Sequence, residues 1–353
     1  MKETIKKILE YAVYAPSGDN SQPWRFVVKG NKIFQYNLPF EDNIYLNYQQ
    51  SGSYVSHGAV IENIFIASSH FGYATNVELF PENSEQDLVA ILDLQEANIS
   101  IDPEFECIKS RCVNRRPYDS REIGKELLES IKASIKKEFD FQGLSFITDR
   151  GSIKEVGVAA TVMERIALRN PVIHKLFFSG IIWTDKEHRQ KKKGLYIKTL
   201  ELPLPVQYLF RLFKHWPVMS FLGRIGFPEK AANGNAEINA KSAAFGIITT
   251  KQSSPKDFIL AGRVMQRIWL KTTSLGLSLQ PVTGLLFLAH RVKDNQTEGL
   301  SLIQTEMIKD GISVIEKKFS LKDEIPIMMF RIGYAKKPTA NSFRMEPKVI
   351  FKE

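Results

Sequence analysis

Residues of distinctive chemistry crowd into AVYAPSGDNSQPWRFVV (Ala12–Val28), which holds Pro16, Ser17, Asn20, Gln22, Pro23 and Trp24. Pro16 and Pro23 fix φ and stiffen the stretch, and Gly18 permits a bend. Ser17, Asn20 and Gln22 bring donors and acceptors to one corner. Amide side chains carry both kinds, so the set can read the edge of a heteroaromatic ring. The same residue types also make turns unaided, and the residues alone leave both readings open. RCVNRR (Arg111–Arg116) offers planar forks of the kind that grip phosphate, yet by itself it also fits a solvated basic turn. PVTG (Pro281–Gly284) by itself is a turn after a helix. No Ser/His/Asp or Cys/His arrangement stands out, and the six histidines lack H-x-x-x-H or H-x-H spacing. Cys107 and Cys112 make neither a disulfide framework nor the four close ligands zinc usually takes.

The elements that must position these residues follow from periodicity. Residues 1–15 read as a helix, and PWRFVVKGNKIFQYNL as a hairpin around Gly30-Asn31. A small-residue helix ends near Phe71, with Gly72 as its stop, and Gln86–Gln95 reads as a strand. A second unit begins near Pro103: helix over 124–139, strand over 144–148, helix over 152–168, strand over 243–251. A helix from Lys256 stops at Gly276 and leads into a loop, and 325–335 is a strand with a polar tail. Residues 170–240 are broken by prolines and read as an irregular insertion or lid. HGAVIENIFIASSHFGY and AGRVMQRIWLKTTSLGL share a layout, with Gly early, apolar residues at helical spacing, and a late Gly. This is a faint internal repeat; two ordinary core helices would look the same.

APSGDNSQPWRF resembles the A-P-S-x-x-N-x-Q-P-W-x-F segment of the nitroreductase family, FMN-dependent α+β enzymes. GAVIENIFIASSHFGY is similar to that family's G-A-x-x-x-N-x-x-x-A helix, and RCVNRRPYDSREI to its R-x-S-x-R-x-F segment. WLKTTSLGLSLQPVTG resembles its flavin-facing helix and P-x-E-G loop, and FRIGYAKKPTANSFRMEPKVI its last strand and tail arginine. The order of the pieces is inverted relative to ordinary members, with the A-P-S-x-x-N segment before the arginine segment. The resemblance therefore implies the long single-chain Acg-like branch: a nitroreductase-like α+β fold in two related halves, residues 1–102 and 103–353, forming a pseudo-dimer with one site at their interface and a lid-like insertion. It implies an FMN site with Pro16, Ser17 and Asn20 at the ring edge and Gln22 supporting that corner, Arg111, Arg115 and Arg344 toward the phosphate, and Asn114 in place of the family's usual hydroxyl. Pro281, Val282, Thr283 and Gly284 would form the reactive-edge loop, a backbone N–H of Thr283 or Gly284 facing flavin N5. Val113 and Thr283 depart from the family pattern, where a hydroxyl and an acidic residue are usual. Trp24 is expected in the core.

The implied activity is oxidoreduction: NADPH or NADH donates hydride, and a nitroaromatic, quinone or similar flat acceptor takes it. The alternative is a store of FMN, with residues 170–240 closed over the flavin. The chain's 353 residues, 43% hydrophobic and 25% charged, suffice for a large core and argue against disorder. The +9 net charge admits nucleic-acid binding, but the densest run, HRQKKKG, has no interleaved aromatics for base stacking. Prolines and charges interrupt the apolar region 200–227, so it cannot span a bilayer as one helix, and the first residues do not read as a signal peptide. The expectation is a cytoplasmic protein with a small-molecule acceptor and no nucleic-acid or membrane partner, monomeric or a weak homodimer.

Overall fold

In the computed structural model the described residues are 1–82, 85–135, 139 and 141–352. The first half opens with α1 (Lys2–Ala12), then the hairpin β1 (Trp24–Lys29) and β2 (Lys32–Asn37). Gly30, at φ +58°, supplies the left-handed residue that this two-residue turn requires. Next come α2 (Ser51–His70), β3 (Tyr73–Leu79) and β4 (Leu88–Glu96). After α3 (Cys107–Ser110) and α4 (Lys125–Ala133) follow β5 (Leu144–Ile147), α5 (Arg150–Ala160) and α6 (Val162–Arg169). The middle of the chain forms α7 (Pro171–Ser179), β6 (Ile181–Ile182), α8 (Asp185–Lys191), β7 (Leu195–Tyr196), α9 (Leu204–Phe213), α10 (Trp216–Arg224) and α11 (Phe227–Ala240). The last part is β8 (Ala244–Thr250), α12 (Pro255–Ser274), β9 (Ser278–Pro281), α13 (Gly284–Lys293), α14 (Leu302–Lys318), β10 (Ile325–Gly333) and β11 (Val349–Lys352).

The architecture is α+β. One sheet runs β11-β1-β2-β4-β3, antiparallel except where β11 lies parallel to β1; a second runs β5-β8-β10-β9, antiparallel throughout; and β6 and β7 form a small parallel pair. Each of the two larger sheets carries its own long helix, α2 on the first and α12 on the second, and the two helices pack on each other. Most of α2 is buried, polar residues such as His57, Glu62 and Asn63 included. The far face of the second sheet is covered by α5, α13 and α14, so every residue of β8 is buried.

The two helices that share a sequence layout also share their geometry. Each is 20 residues long. A Cβ built on Gly58 would lie 2.1 Å from the Ile259 carbonyl oxygen, and one on Gly262 would lie 2.0 Å from the Val55 carbonyl oxygen. Gly58 and Gly262 hold the same place in their helices, as do Val55 and Ile259, so the crossing is reciprocal. Gly72 and Gly276 end the helices at equivalent positions with φ of +80° and +70°. Beyond the glycine crossing the seam is polar. Fully buried Glu62 accepts from Arg263 Nε (2.9 Å) and from Arg267, and Gln266 Nε2 donates to Asn63 Oδ1 (2.7 Å).

Four expectations need correction. Residues 170–240 are not irregular. Pro171, Pro205, Pro217 and Pro228 each fall in the first turn of a helix, where the missing N–H costs nothing. The helix expected over 152–168 is two helices. It breaks at Thr161, whose N–H and hydroxyl both turn back to the Val158 carbonyl (3.0 and 2.8 Å). The helix expected over 124–139 ends at Ala133; 136–138 lie outside the described residues. The loop expected after Gly276 is β9, paired with β10.

Candidate functional site

The opening motif folds as a strained corner. Ser17 Oγ accepts from the Gln22 N–H (3.0 Å) and closes the turn. Asp19, Asn20 and Gln22 all have positive φ, at +45°, +58° and +51°. Non-glycine residues persist there when their surroundings over-determine them, and here they do. Asn20 Nδ2 donates to the carbonyls of Phe343 (3.1 Å) and Lys192 (3.4 Å). Gln22 Nε2 donates to the Lys192 carbonyl (2.8 Å), and its Oε1 accepts from the Met345 N–H (2.9 Å). The corner is thus held by the C-terminal tail on either side of Arg344 and by the segment after α8. Pro16 lies half-buried at the start of the corner, and Trp24 is buried in the core of the first half.

Arg111 comes to the same place. Its Nη2 donates to the Tyr14 carbonyl (2.9 Å), and its guanidinium stacks on Trp269, 4.3 Å from the ring centroid. Arg344 donates through Nη1 to the carbonyls of Ser342 (3.2 Å) and Phe343 (3.3 Å). Among the described residues neither arginine forms an ion pair, and the Nε of each has no hydrogen-bond partner. Burial, then the neighbouring charge of Arg344, pushes Arg111 down to about 9; burial pushes Arg344 down to about 10. Two desolvated cations close enough to repel, each with a donor to spare, are electrostatically incomplete. An oxyanion, above all a phosphate that can take forked bonds, completes them.

The other two residues of the arginine segment are placed differently. Asn114 is a brace: its Nδ2 donates to Ser278 Oγ and to the Lys336 carbonyl (both 2.9 Å), its Oδ1 accepts from the Arg116 N–H (3.1 Å), and its N–H donates to the Leu279 carbonyl (3.1 Å). Arg115 donates to the Thr199 carbonyl (3.1 Å). Burial lowers its pKa, and the Asp19 carboxyl opposes that shift, so a charge of the corner itself partly answers it.

Pro281 ends β9 opposite Phe330, and the Val282 N–H donates to the Met329 carbonyl (2.7 Å), so the sheet consumes that donor. Thr283 caps α13 and Gly284 begins it. First-turn N–H groups have no acceptor within their own helix, which leaves this donor set open to a ligand. A Cβ on Gly284 would meet Met163 Cγ at 2.7 Å, so α6 presses on this turn. From here contact reaches the corner by way of residues 42–52. Phe287 lies beside Gly52, Gly52 beside Asp42, and Asp42 Oδ1 lies 3.0 Å from where a Gly18 Cβ would be. The structure thus brings the opening corner, Arg111 and Arg344 together directly. It joins Asn114 and the 281–284 turn to them along β9 and through Asp42.

Sequence reasoning missed Asp42, Asp19 and Trp269. Burial, with Asp19 contributing, pushes Asp42 up to about 7 despite the Asn43 N–H it accepts (2.7 Å). Burial also raises Asp19, against the pull of Arg115. Acids in EDN and GDN look like ordinary turn residues, so nothing in the sequence marks them.

Comparison with known proteins agrees with the opening motif: residues 1–39 match the Nitroreductase family. An uncharacterized protein of Mycobacterium tuberculosis (strain CDC 1551 / Oshkosh) is 22% identical over 357 residues, covering 97% of this chain and 47% of that protein. The chain therefore spans about half the length of that curated relative. Among solved structures, the chain is similar to the FMN-dependent nitroreductase NfnB from Mycobacterium smegmatis in complex with NADPH, at 12% identity and TM-score 0.35, covering 65% of this chain and 86% of that one. It is also similar to a nitroreductase with bound FMN from Bacteroides fragilis, at 10% identity and TM-score 0.34, covering 68% and 96%.

Proposed function

We propose that the chain binds FMN between its two halves and acts as an NAD(P)H-dependent oxidoreductase on flat, electron-poor acceptors such as nitroaromatics or quinones. The observation that carries this reading is the Arg111–Arg344 pair, which lacks an ion-pair partner among the described residues; Arg111 donates to the Tyr14 carbonyl, and the residues on either side of Arg344 are hydrogen-bonded to Asn20 and Gln22 of the opening corner. The match of residues 1–39 to the Nitroreductase family supports it. Bound FMN would supply hydride acceptance and delivery. Arg111 and Arg344 would hold its phosphate, and Asn20 Oδ1, buried without a partner, is an acceptor left for its polar part. The first-turn N–H groups of Thr283 and Gly284 would donate to the ring, and Asn114 would position β9 beneath them. The test is an anaerobic titration of the purified yellow protein. NADPH or NADH should bleach the flavin absorbance, and a nitroaromatic or quinone should restore it; a colourless chain that takes up no FMN refutes the assignment.

One observation favours a second reading, an FMN store. The segment Lys192–Gly194 lies on the opening corner, receiving hydrogen bonds from Asn20 and Gln22 and returning one from the Gly194 N–H to the Asn20 carbonyl (3.4 Å). If that cover stays shut, dithionite will bleach the protein and nicotinamide nucleotides will not.

A further inference from the structure

Residues 202–228 contain no aspartate or glutamate, yet hold Arg211, Lys214 and Arg224. Their helices turn apolar side chains to solvent. Not one residue of α9 is buried; Leu204, Tyr208 and Leu212 share one of its faces and are 67%, 70% and 53% exposed. On α10 the outward residues are Phe221 and, just past its end, Ile225, at 61% and 66%. The inner sides are already satisfied, Phe210 and Phe213 in the small core around Phe178 and Met219 fully buried. Exposed apolar helix faces of this kind mark an interaction site. The flanking carboxylates are engaged elsewhere, Glu201 with Arg116 and Glu229 with Arg169.

A cleft of about 490 Å³ opens where α7 meets the corner between α9 and α10. Lys175, Lys214 and His215 line it together with the apolar walls of Phe178 and Trp216. Two lysines beside aromatic walls, in a cleft at the junction of α9 and α10, suit a phosphodiester headgroup whose acyl chains lie along the exposed apolar faces.

We propose that α9 and α10 lie flat on an anionic phospholipid bilayer, with their apolar faces at the acyl boundary and Arg211, Lys214 and Arg224 at the headgroup phosphates. The chemistry is that of interfacial helices: an apolar face rich in leucine and aromatics, flanked by basic residues. At 1.5 Å per residue α9 is about 15 Å long, half a hydrocarbon core, and among the described residues no helix is long and apolar enough to cross a membrane. A second copy of the chain is a poorer occupant, because pairing this face with itself would set the same three cations against each other. The inference revises the expectation of no membrane partner and does not depend on the flavin reading.

The test is co-sedimentation of the full chain with vesicles of phosphatidylcholine alone or of phosphatidylcholine with phosphatidylglycerol. The chain should pellet with the anionic vesicles, less so as salt is raised, and remain in the supernatant with the neutral ones. Arg211→Ala and Lys214→Ala should each weaken binding about fivefold, and Tyr208→Glu with Phe221→Glu should abolish it without shifting the melting temperature. Quenching of tryptophan fluorescence by brominated phosphatidylglycerol reads the contact in the unaltered chain, whatever the variants do. Failure to pellet with anionic vesicles, equal pelleting with neutral ones, or absence of quenching overturns the proposal. So does a dimer that the double variant dissociates while vesicle binding is absent.

Discussion

Burial, and then the charge of Arg344, lowers the pKa of Arg111, and a bound oxyanion would offset both effects. Removing either should therefore weaken FMN binding by about 1.5–3 kcal/mol, the range for hydrogen bonds to a charged group. That is about ten- to a hundredfold in a fluorescence titration of the flavin-free protein. Lysine at either place keeps the charge but loses the fork, so Arg344→Lys should recover part of the affinity. Asp42 gives a prediction in pH. Its folded value, about 7, lies above its ordinary 3.8, so the folded chain keeps a proton that the unfolded chain has released. Stability contributed by this group is whole below about pH 4 and drains away as pH rises to 7, at about 1.4 kcal/mol per unit of elevation. Asp42→Asn should flatten that slope: denaturant melts at pH 8 should favour the variant, and melts at pH 4 should show little difference. At this scale the arginines were legible because the motifs around them resemble a family. Asp42 was not, since its peculiarity is its burial beside Gly18 and Gly52, which no local pattern records.

The helix pair α2 and α12 sets how closely the halves approach. A methyl group at Gly58 or Gly262 would run into a backbone carbonyl of the opposite helix, and backbone moves only if the helices separate. Overpacking of this kind costs about 1–3 kcal/mol and occasionally more, against about 1 kcal/mol gained from alanine's helix propensity. Gly58→Ala and Gly262→Ala should each destabilise the protein in urea melts, by similar amounts because the two contacts mirror one another. Unequal effects, one neutral and one severe, would mean that the crossing is not reciprocal. These helices were readable from spacing and their terminal glycines. The helices of residues 170–240 were not, because a proline in the first turn looks in sequence like one that ends a helix. Their exposed apolar faces further blurred the distinction between inside and outside that periodicity relies on.

For the whole molecule the arrangement predicts one FMN per chain. The arginine pair draws one member from the segment after α3 and the other from the tail, while the corner that meets them comes from the first half. Flavin absorbance against protein concentration measures this; two flavins per chain would contradict it. Removing residues 341–353 should abolish FMN binding, as it takes away Arg344 and the carbonyl and N–H groups that hold Asn20 and Gln22. The sequence suggested that both halves contribute to one site, but not that β11 returns to pair with β1, since Val349–Lys352 is too short for its alternation to be distinctive. That pairing bears on folding. β1 has no partner on its outer edge until β11 folds back onto it. Until then an unpaired edge awaits a strand, and any passing chain can supply one. A chain cut before Val349 should therefore aggregate on refolding more than the intact chain, as read by light scattering.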